Sequence, residues 1–295
     1  MTVVESLTLA PARSTSWWRS SPTGRQLRAL ARNPTAMFGA VIVVLVLLCG
    51  LLAPVIAPYD PLQISADTLS PPSSAHLLGT DDLGRDILSR MLHGARVTPL
   101  VGIAPVVISA AVGVVLGLLA GFSRGLVDNA IMRFIDVLLA FPGIVLAIAI
   151  VAVLGPGLGN AMIAVGIAGV PIFARVVRGL VLVEREKEYV GAARLCGARL
   201  PRLIFVEVLP NIAASVLVLS TVSVATAILS TAGLSFLGLG AQAPQPEWGA
   251  MLSQGRNYLT DQWWIATFPG LAIAIAVLGI NLLGDGLRDV LDPRL

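Results

Sequence analysis

Uncharged stretches divide the chain into segments that are long enough to cross a membrane. They cover residues 33–59, 97–123, 137–174, 208–246 and 262–284, none of which contains Asp, Glu, Lys or Arg. An α-helix needs roughly 20 apolar residues to cross the ~30 Å hydrocarbon core of a bilayer. The third stretch is too long for one helix and contains Gly-Pro-Gly-Leu-Gly-Asn at 155–160, which predicts two helices in a hairpin. The pattern therefore predicts six spans.

The remaining spans carry signals of their own. Residues 37–57 form a plausible first span and residues 211–232 can form the fifth, whereas the Gly/Pro-rich residues 233–246 are predicted to be irregular. Trp263 and Trp264 open the last span, where an aromatic belt is expected. These spans bracket several polar segments that decide the rest of the interpretation.

Composition agrees with a protein that is largely embedded in lipid. Of its 295 residues 56% are hydrophobic and 13% are charged, against about 25% charged residues in soluble domains. This excludes an ordinary cytosolic enzyme, a disordered regulator and a nucleic-acid binder. Because backbone groups in lipid must be satisfied internally, the predicted fold class is an all-α polytopic membrane protein.

Basic residues predict the orientation. With the N-terminus inside, the N-terminal tail, residues 123–133, residues 175–207 and the C-terminus hold five, two, seven and two of the 20 Lys and Arg residues. The positive-inside rule therefore predicts that both termini are cytoplasmic. The two histidines, His76 and His93, lie outside the spans and no nucleophile with a basic partner lies within them, so we expect no catalytic residues. A channel, a carrier or a docking platform remains open.

The largest inner loop carries the strongest signal. A charged helix is predicted to end at Gly197, and Pro201 suits the first turn of a second helix. Two short helices at an angle would form a knob shaped to fit a partner. A plain solvated connection between two spans is an equally good interpretation of these residues alone.

The same loop resembles the Glu-Ala-Ala loop of ABC-importer permeases. The residues at the family's spacing within Glu188–Pro210 are Ala192, Ala193, Gly197, Leu209 and Pro210. Four other segments resemble C-type permeases of the dipeptide/oligopeptide/nickel family: His76–Arg90, Arg133–Pro142, Gly233–Gly249 and Asn281–Arg294. The chain departs from the family at Gly191, where glutamate is usual. The resemblance implies the six-helix type-I ABC importer permease fold.

The resemblance also implies partners. It predicts a homologous B-type permease subunit, two ATPase subunits or domains that dock on the knob, and an extracytoplasmic substrate-binding protein, in a bacterial or archaeal cell membrane. No G-x-x-x-x-G-K-[ST] motif occurs in the chain, so ATP and Mg are expected on the ATPases and no cofactor or metal on this chain. Peptides are the expected substrate; nickel, glutathione or opine-like compounds are alternatives, and a stand-alone channel or carrier is the alternative from another class.

These signals divide the chain into consecutive parts. They are a basic tail (1–35), a first transmembrane helix (36–58), an extracytoplasmic amphipathic segment (59–96), a five-helix permease core (97–287) with the coupling loop (181–210), and a second cytoplasmic tail (288–295). The docking residues expected in the coupling loop are Glu188, Tyr189, Gly191, Ala192, Ala193, Gly197, Leu209 and Pro210.

The outer segment has a structural interpretation. Thr80 or Asp81 is predicted to cap a helix in which Asp86 and Arg90 form an i,i+4 pair. A metal site is the less favoured alternative for its acidic residues and histidines.

Candidates for the translocation pathway are fewer. Asp136, at the start of the third span, is predicted to pair with Arg133, with a gating role as the alternative. Pro142 and Pro171 are expected to kink the third and fourth spans. Trp248 and Met251 are expected to reach the pore mouth, to meet a substrate-binding protein or to anchor at the interface. Arg175 and Arg178 are interpreted as snorkelling anchors.

Overall fold

A computed structural model describes residues 30–123 and 125–291. Within this part the chain is helical, without strands, and ten helices are labelled in chain order. They are α1 (Pro34–Ile56), α2 (Ile87–Gly94), α3 (Thr98–Phe122), α4 (Leu126–Leu139), α5 (Gly143–Leu154), α6 (Leu158–Glu184), α7 (Glu188–Leu195), α8 (Leu209–Phe236), α9 (Trp248–Gly255) and α10 (Trp264–Leu291). Short helical turns cover Leu200–Arg202, Leu203–Val208 and Arg256–Tyr258.

The helices reproduce most of the predicted spans. Five helical segments are long and apolar enough to cross a membrane, and a sixth span results if the bent pair α4–α5 counts as one. The hairpin predicted at 155–160 is confirmed, because α5 ends at Leu154 and α6 begins at Leu158. At the same end of the bundle, the Gly157 N–H donates to the Leu239 carbonyl beyond α8 at 3.1 Å.

The third span differs from the prediction. The segment expected as a loop up to Arg133 is helical, since α4 begins at Leu126, and α4 and α5 meet at an angle of 91°. Pro142 does not kink a continuous helix: it stands immediately before α5 and begins it. A proline fits there because the first helical positions lack intrahelical N–H partners. Pro171 lies inside α6 and is buried.

Glycines bring α3 and α6 unusually close. Gly113, Gly117 and Gly121 recur every four residues along one face of α3, and a methyl group on Gly117 would lie 2.7 Å from Cβ of Val177. Small residues at this spacing allow membrane helices to approach to backbone contact. α3 and α6 therefore form the tightly packed centre of the bundle.

The segment between α1 and α3 folds around buried charges, in a different pattern from the prediction. Asp86, rather than Thr80 or Asp81, caps α2: its carboxylate accepts from Ser89 N at 2.8 Å and lies 3.0 Å from Nδ1 of His76. Arg90 lies 3.6 Å from Asp81 and does not form the i,i+4 pair with Asp86. The cap lies later in the chain than predicted because Gly84 turns the chain at φ +71° and α2 begins only at Ile87. Thr80 is fully buried and its carbonyl accepts from the Trp264 indole at 3.3 Å.

The Gly/Pro-rich segment after α8 is shorter than predicted. α8 continues to Phe236, so residues 233–236 are helical and the irregular part begins at Leu237. Trp248 and Met251 are 5% and 3% exposed and belong to the hydrophobic core at this end of the bundle. The Trp248 indole donates to the Met91 carbonyl at 3.0 Å. Neither residue reaches an open surface of this subunit.

Candidate functional site: the coupling knob and the central cavity

The predicted knob is present at the end of the bundle where α6 ends and α8 begins. We call residues 185–208, which contain α7, the coupling knob. Gly197 ends the α7 region with φ +82°, a conformation that glycine adopts without strain, and Pro201 lies in the next helical turn. Both features match the prediction. The second helix is not separate, however, because residues 203–208 form a π-helical segment that runs directly into α8.

Hydrophobic packing fixes the base of the coupling knob. Val190 of α7 and Val208 are fully buried and pack with Val177 and Val181 of α6. Leu203, at the start of the π-helical segment, is 3% exposed in the same cluster. α7 therefore cannot move without displacing the end of α6 and the start of α8.

A polar network ties the coupling knob to both helices. The Tyr189 hydroxyl donates to the Glu184 carboxylate at the end of α6 and accepts from the Asn211 amide of α8 at 3.1 Å. Lys187 Nζ lies 2.7 Å from the other oxygen of Glu184. Burial, and then the hydrogen bond to Glu184, raise the pKa of Tyr189 to about 12. The phenol therefore stays protonated and keeps donating at physiological pH.

The tip of the coupling knob is exposed and basic. Leu195 is 91% exposed, and Ala192, Arg194, Arg199 and Arg202 are exposed around it. Residues 189–206 contain these three arginines and no carboxylate. Leu200 is also 53% exposed, and exposed apolar side chains grouped beside positive charges are typical of a surface that contacts another protein. The other predicted docking residues lie nearby: Glu188, Gly191, Gly197 and Pro210 are exposed, and Ala193 and Leu209 are half-buried.

Gly191 lies in the middle of α7 with nothing within 4 Å of a Cβ built on it. We expect Gly191→Glu to fold, because there is room for the side chain and glycine weakens a helix interior by about 1 kcal/mol. The purified chain should unfold at the same temperature as the wild type or slightly higher. Gly191→Pro, which removes a helical N–H, is the matched control and should lower the thermal midpoint. A lower midpoint for Gly191→Glu would contradict the open position of this residue.

A central cavity of about 300 Å³ lies between α3, α5, α6 and α8. Its walls are mostly small and apolar, including Gly143 and Ala147 of α5 and Gly169 of α6. The α8 wall is polar. Ser223, Thr226 and Ser230 line it, at spacings of three and four residues. These hydroxyls were not among the predicted pathway residues, although their helical spacing was a signal that could have found them.

Two ion pairs join α4 to α6, and they correct two expectations. Asp136 accepts from Arg175 Nη2 at 2.6 Å and does not pair with Arg133. Asp128 holds Arg178 with two hydrogen bonds, at 2.6 and 2.7 Å. Arg175 and Arg178 are thus not free anchors at the membrane surface. Sequence reasoning missed these pairs because partners 39 and 50 residues apart become neighbours only when α4 folds back across α6.

The residues predicted for docking and for the pathway separate into four places. The docking residues gather in the coupling knob, and Asp136 and Pro142 lie near the α4–α5 bend. Pro171 is buried within α6, while Trp248 and Met251 are in the core at the opposite end of the bundle. Only the first group forms one surface.

Within residues 30–123 and 125–291, five or six helical segments suited to cross a membrane define a polytopic, α-helical membrane protein. Residues 113–295 match the family of binding-protein-dependent transport system inner membrane components, and residues 21–72 match the N-terminal transmembrane domain of oligopeptide transport permease C. The chain belongs to this family of transport permeases, as its resemblance to C-type subunits predicted.

Curated relatives align over almost the whole chain. The di/tripeptide transport system permease of Pseudomonas aeruginosa is 49% identical over 293 residues, 97% of each chain. The probable D,D-dipeptide transport system permease of Escherichia coli is 45% identical and covers 90% of this chain and 89% of its own. The glutathione transport system permease of Pectobacterium atrosepticum is 46% identical and covers 91% and 90%.

Proposed function

We propose that this permease subunit imports short peptides, supplying one side of the pathway and a docking surface for a cytoplasmic ATPase. The observation that carries the proposal is the coupling knob, which has an exposed, basic tip and a base packed into α6 and α8. Relatives at 45–49% identity are named for di-, tri- or D,D-dipeptides, and one at 46% for glutathione, itself a modified tripeptide.

In this proposal the chain performs no bond chemistry. Two ATPase subunits bind ATP and Mg, a homologous B-type permease completes the pathway, and a binding protein delivers the peptide from outside. Closure of the ATPases moves the coupling knob, and Val190 together with the Tyr189 network passes that movement to the ends of α6 and α8. Selection among peptides of different length rests largely with the binding protein.

The docking role is tested at Ala192, an exposed residue of α7. We expect Ala192→Arg to abolish co-purification of the ATPases and peptide uptake, because it adds a bulky charge to the docking face, while membrane insertion is retained. Gln245→Arg is the control, an exposed position at the opposite end of the bundle. Wild-type uptake by the Ala192→Arg importer would refute the docking assignment.

The proposed orientation places the coupling knob and both termini in the cytoplasm, and Cys196 offers a direct test. This residue is exposed, whereas the other cysteine, Cys49, is half-buried in α1. A membrane-impermeant maleimide should label the protein in inside-out vesicles and leave it unlabelled in right-side-out vesicles. The Cys196→Ser variant, which should lose that labelling, is the control. Labelling from the outside would reverse the topology.

A stand-alone channel or carrier makes the opposite prediction for the isolated chain. Such a protein would transport peptide when reconstituted without partners or ATP. The proposed subunit should be inert alone and become active only when the complete importer is reconstituted. Uptake by the isolated chain would therefore favour the other class.

A further inference from the structure

The face of α8 beside the central cavity is polar, although it belongs to a membrane-spanning helix. Ser223, Thr226 and Ser230 of α8 share this face, and Thr226 is exposed beside the central cavity. Their spacing of three and four residues keeps them on one side of a helix. They therefore place three hydroxyl oxygens along the α8 side of the cavity, of which Ser223 donates its proton to the Leu219 carbonyl at 2.7 Å.

An ion pair lies further along the same face, in the direction of the coupling knob. Arg175 follows the cavity-lining Ile172 by three residues and Ala168 by seven, so it lies on the same side of α6, about one turn further along. Its partner is Asp136, and their side chains are 55% and 51% exposed. The other α4–α6 pair, Arg178 with Asp128, is only 29% and 16% exposed.

Lipid would not solvate the polar and charged groups of this face. Charged groups within a membrane protein almost always face water, a cavity or another protein chain, because hydrocarbon does not solvate them. A single hydrogen bond joins Asp136 to Arg175, although a guanidinium has five donors and a carboxylate about four acceptor sites. Both groups thus keep unused hydrogen-bonding capacity on the exposed side.

We propose that the polar wall of α8 and the Asp136–Arg175 pair form the hydrated lining of the route in this subunit, with a small zwitterionic solute as ligand. This inference rests on the proposed function, because the free ends of a short peptide carry one ammonium and one carboxylate. Asp136 and Arg175 can exchange their mutual bond for those two ends. The hydroxyls of Ser223, Thr226 and Ser230 replace water along the way and bind weakly enough for release.

The lining is tested by thiol accessibility in the assembled importer, with Cys49→Ala and Cys196→Ala as background. Thr226→Cys is compared with Val41→Cys, a 49% exposed position on α1. The two lie at a similar level: Ile42 contacts Gly279 of α10, and Val222 of α8 contacts Gly284. A charged methanethiosulfonate should modify Thr226→Cys at least ten times faster than Val41→Cys, and saturating peptide should slow that reaction. Two results would overturn the proposal in favour of a lipid or subunit contact. One is an equal rate of modification at Thr226→Cys and Val41→Cys; the other is no modification of Thr226→Cys in the absence of peptide, whether or not ATP is present.

A second measurement separates the ion pair from a merely structural role. Asp136→Asn and Arg175→Gln should each reduce peptide uptake about tenfold while ATPase binding and the thermal midpoint are retained. A matched substitution in the other pair, Asp128→Asn, should instead lower the thermal midpoint. Unchanged uptake in both Asp136 and Arg175 variants would exclude them from the route. Failure of the ATPases to assemble with the wild-type chain would count against the proposed function, whereas equal modification rates in an importer that does assemble would count against the lining alone.

Discussion

Gly117→Val is expected to destabilise the bundle severely, lowering its thermal midpoint by roughly 6–12 °C for a loss of about 3 kcal/mol. A Cβ at this position would lie 2.7 Å from Cβ of Val177 and 2.8 Å from the carbonyl oxygen of Ala174. Neither neighbour can yield cheaply, because one is backbone and the other is a stiff, β-branched side chain. The gain in helix propensity over glycine, less than about 1 kcal/mol, is too small to offset this overlap.

The matched control is Gly179→Val in α6, where a Cβ has nothing within 4 Å. Both substitutions are made within helices and improve helix propensity equally, so the difference between them isolates the contact of α3 with α6. Thermal unfolding of the purified protein in detergent measures both. Equal midpoints for the two variants would show that the helices do not approach as closely as described.

Asp81→Ala is the second substitution with a large expected effect, a loss of about 3–5 kcal/mol. The Asp81 carboxylate lies 2.7 Å from Nε of Arg85 and 3.6 Å from Nε of Arg90. These three side chains are 4%, 3% and 1% exposed. Without the carboxylate, two buried guanidiniums repel each other, and the only remaining carboxylate within 4 Å in the described part of the chain is Asp82, which is 38% exposed and 3.8 Å from Arg85. Removing one partner of a buried ion pair in this way costs far more than the pair contributes.

Limited trypsin digestion of the purified protein measures this loss of stability directly, because trypsin cleaves after arginine. Asp81→Ala should expose Arg85 and Arg90 to cleavage, whereas Asp82→Ala, at a carboxylate 38% exposed and 3.8 Å from Arg85, should not. Adding Arg90→Met to Asp81→Ala should restore part of the resistance, since it removes one of the unpaired charges. Resistance of Asp81→Ala equal to that of Asp82→Ala would mean that the cluster is not a buried ionic core.

The parts of this structure that depend on local sequence were predictable. The apolar stretches, the hairpin at 155–160 and the end of α7 at Gly197 follow from hydropathy and turn chemistry. The helix bounds shifted by a few residues, as with Pro34 at the start of α1 and Phe236 at the end of α8.

The parts that depend on distant residues were not predictable. The sequence offered Asp136 a partner three residues away in Arg133, but the 91° bend before Pro142 turns α4 across α6 and brings Arg175 to it. Trp248 was expected at an accessible site or at the membrane interface, yet Gly94 leaves space for its ring and the Met91 carbonyl accepts its N–H. In each case a tertiary contact replaced the local one.

The hydrogen bond between Gly157 and Leu239, together with the coupling knob, determines how a force is transmitted along the bundle. α6 and α8 are joined near one end by this link and at the other end by the packed base of α7. The two long helices are then the sides of a closed frame. Because they are joined at both ends, the two helices do not separate when the coupling knob is pushed; they tilt together. Force applied at the coupling knob should therefore appear at the far end of the bundle as a displacement in the opposite direction.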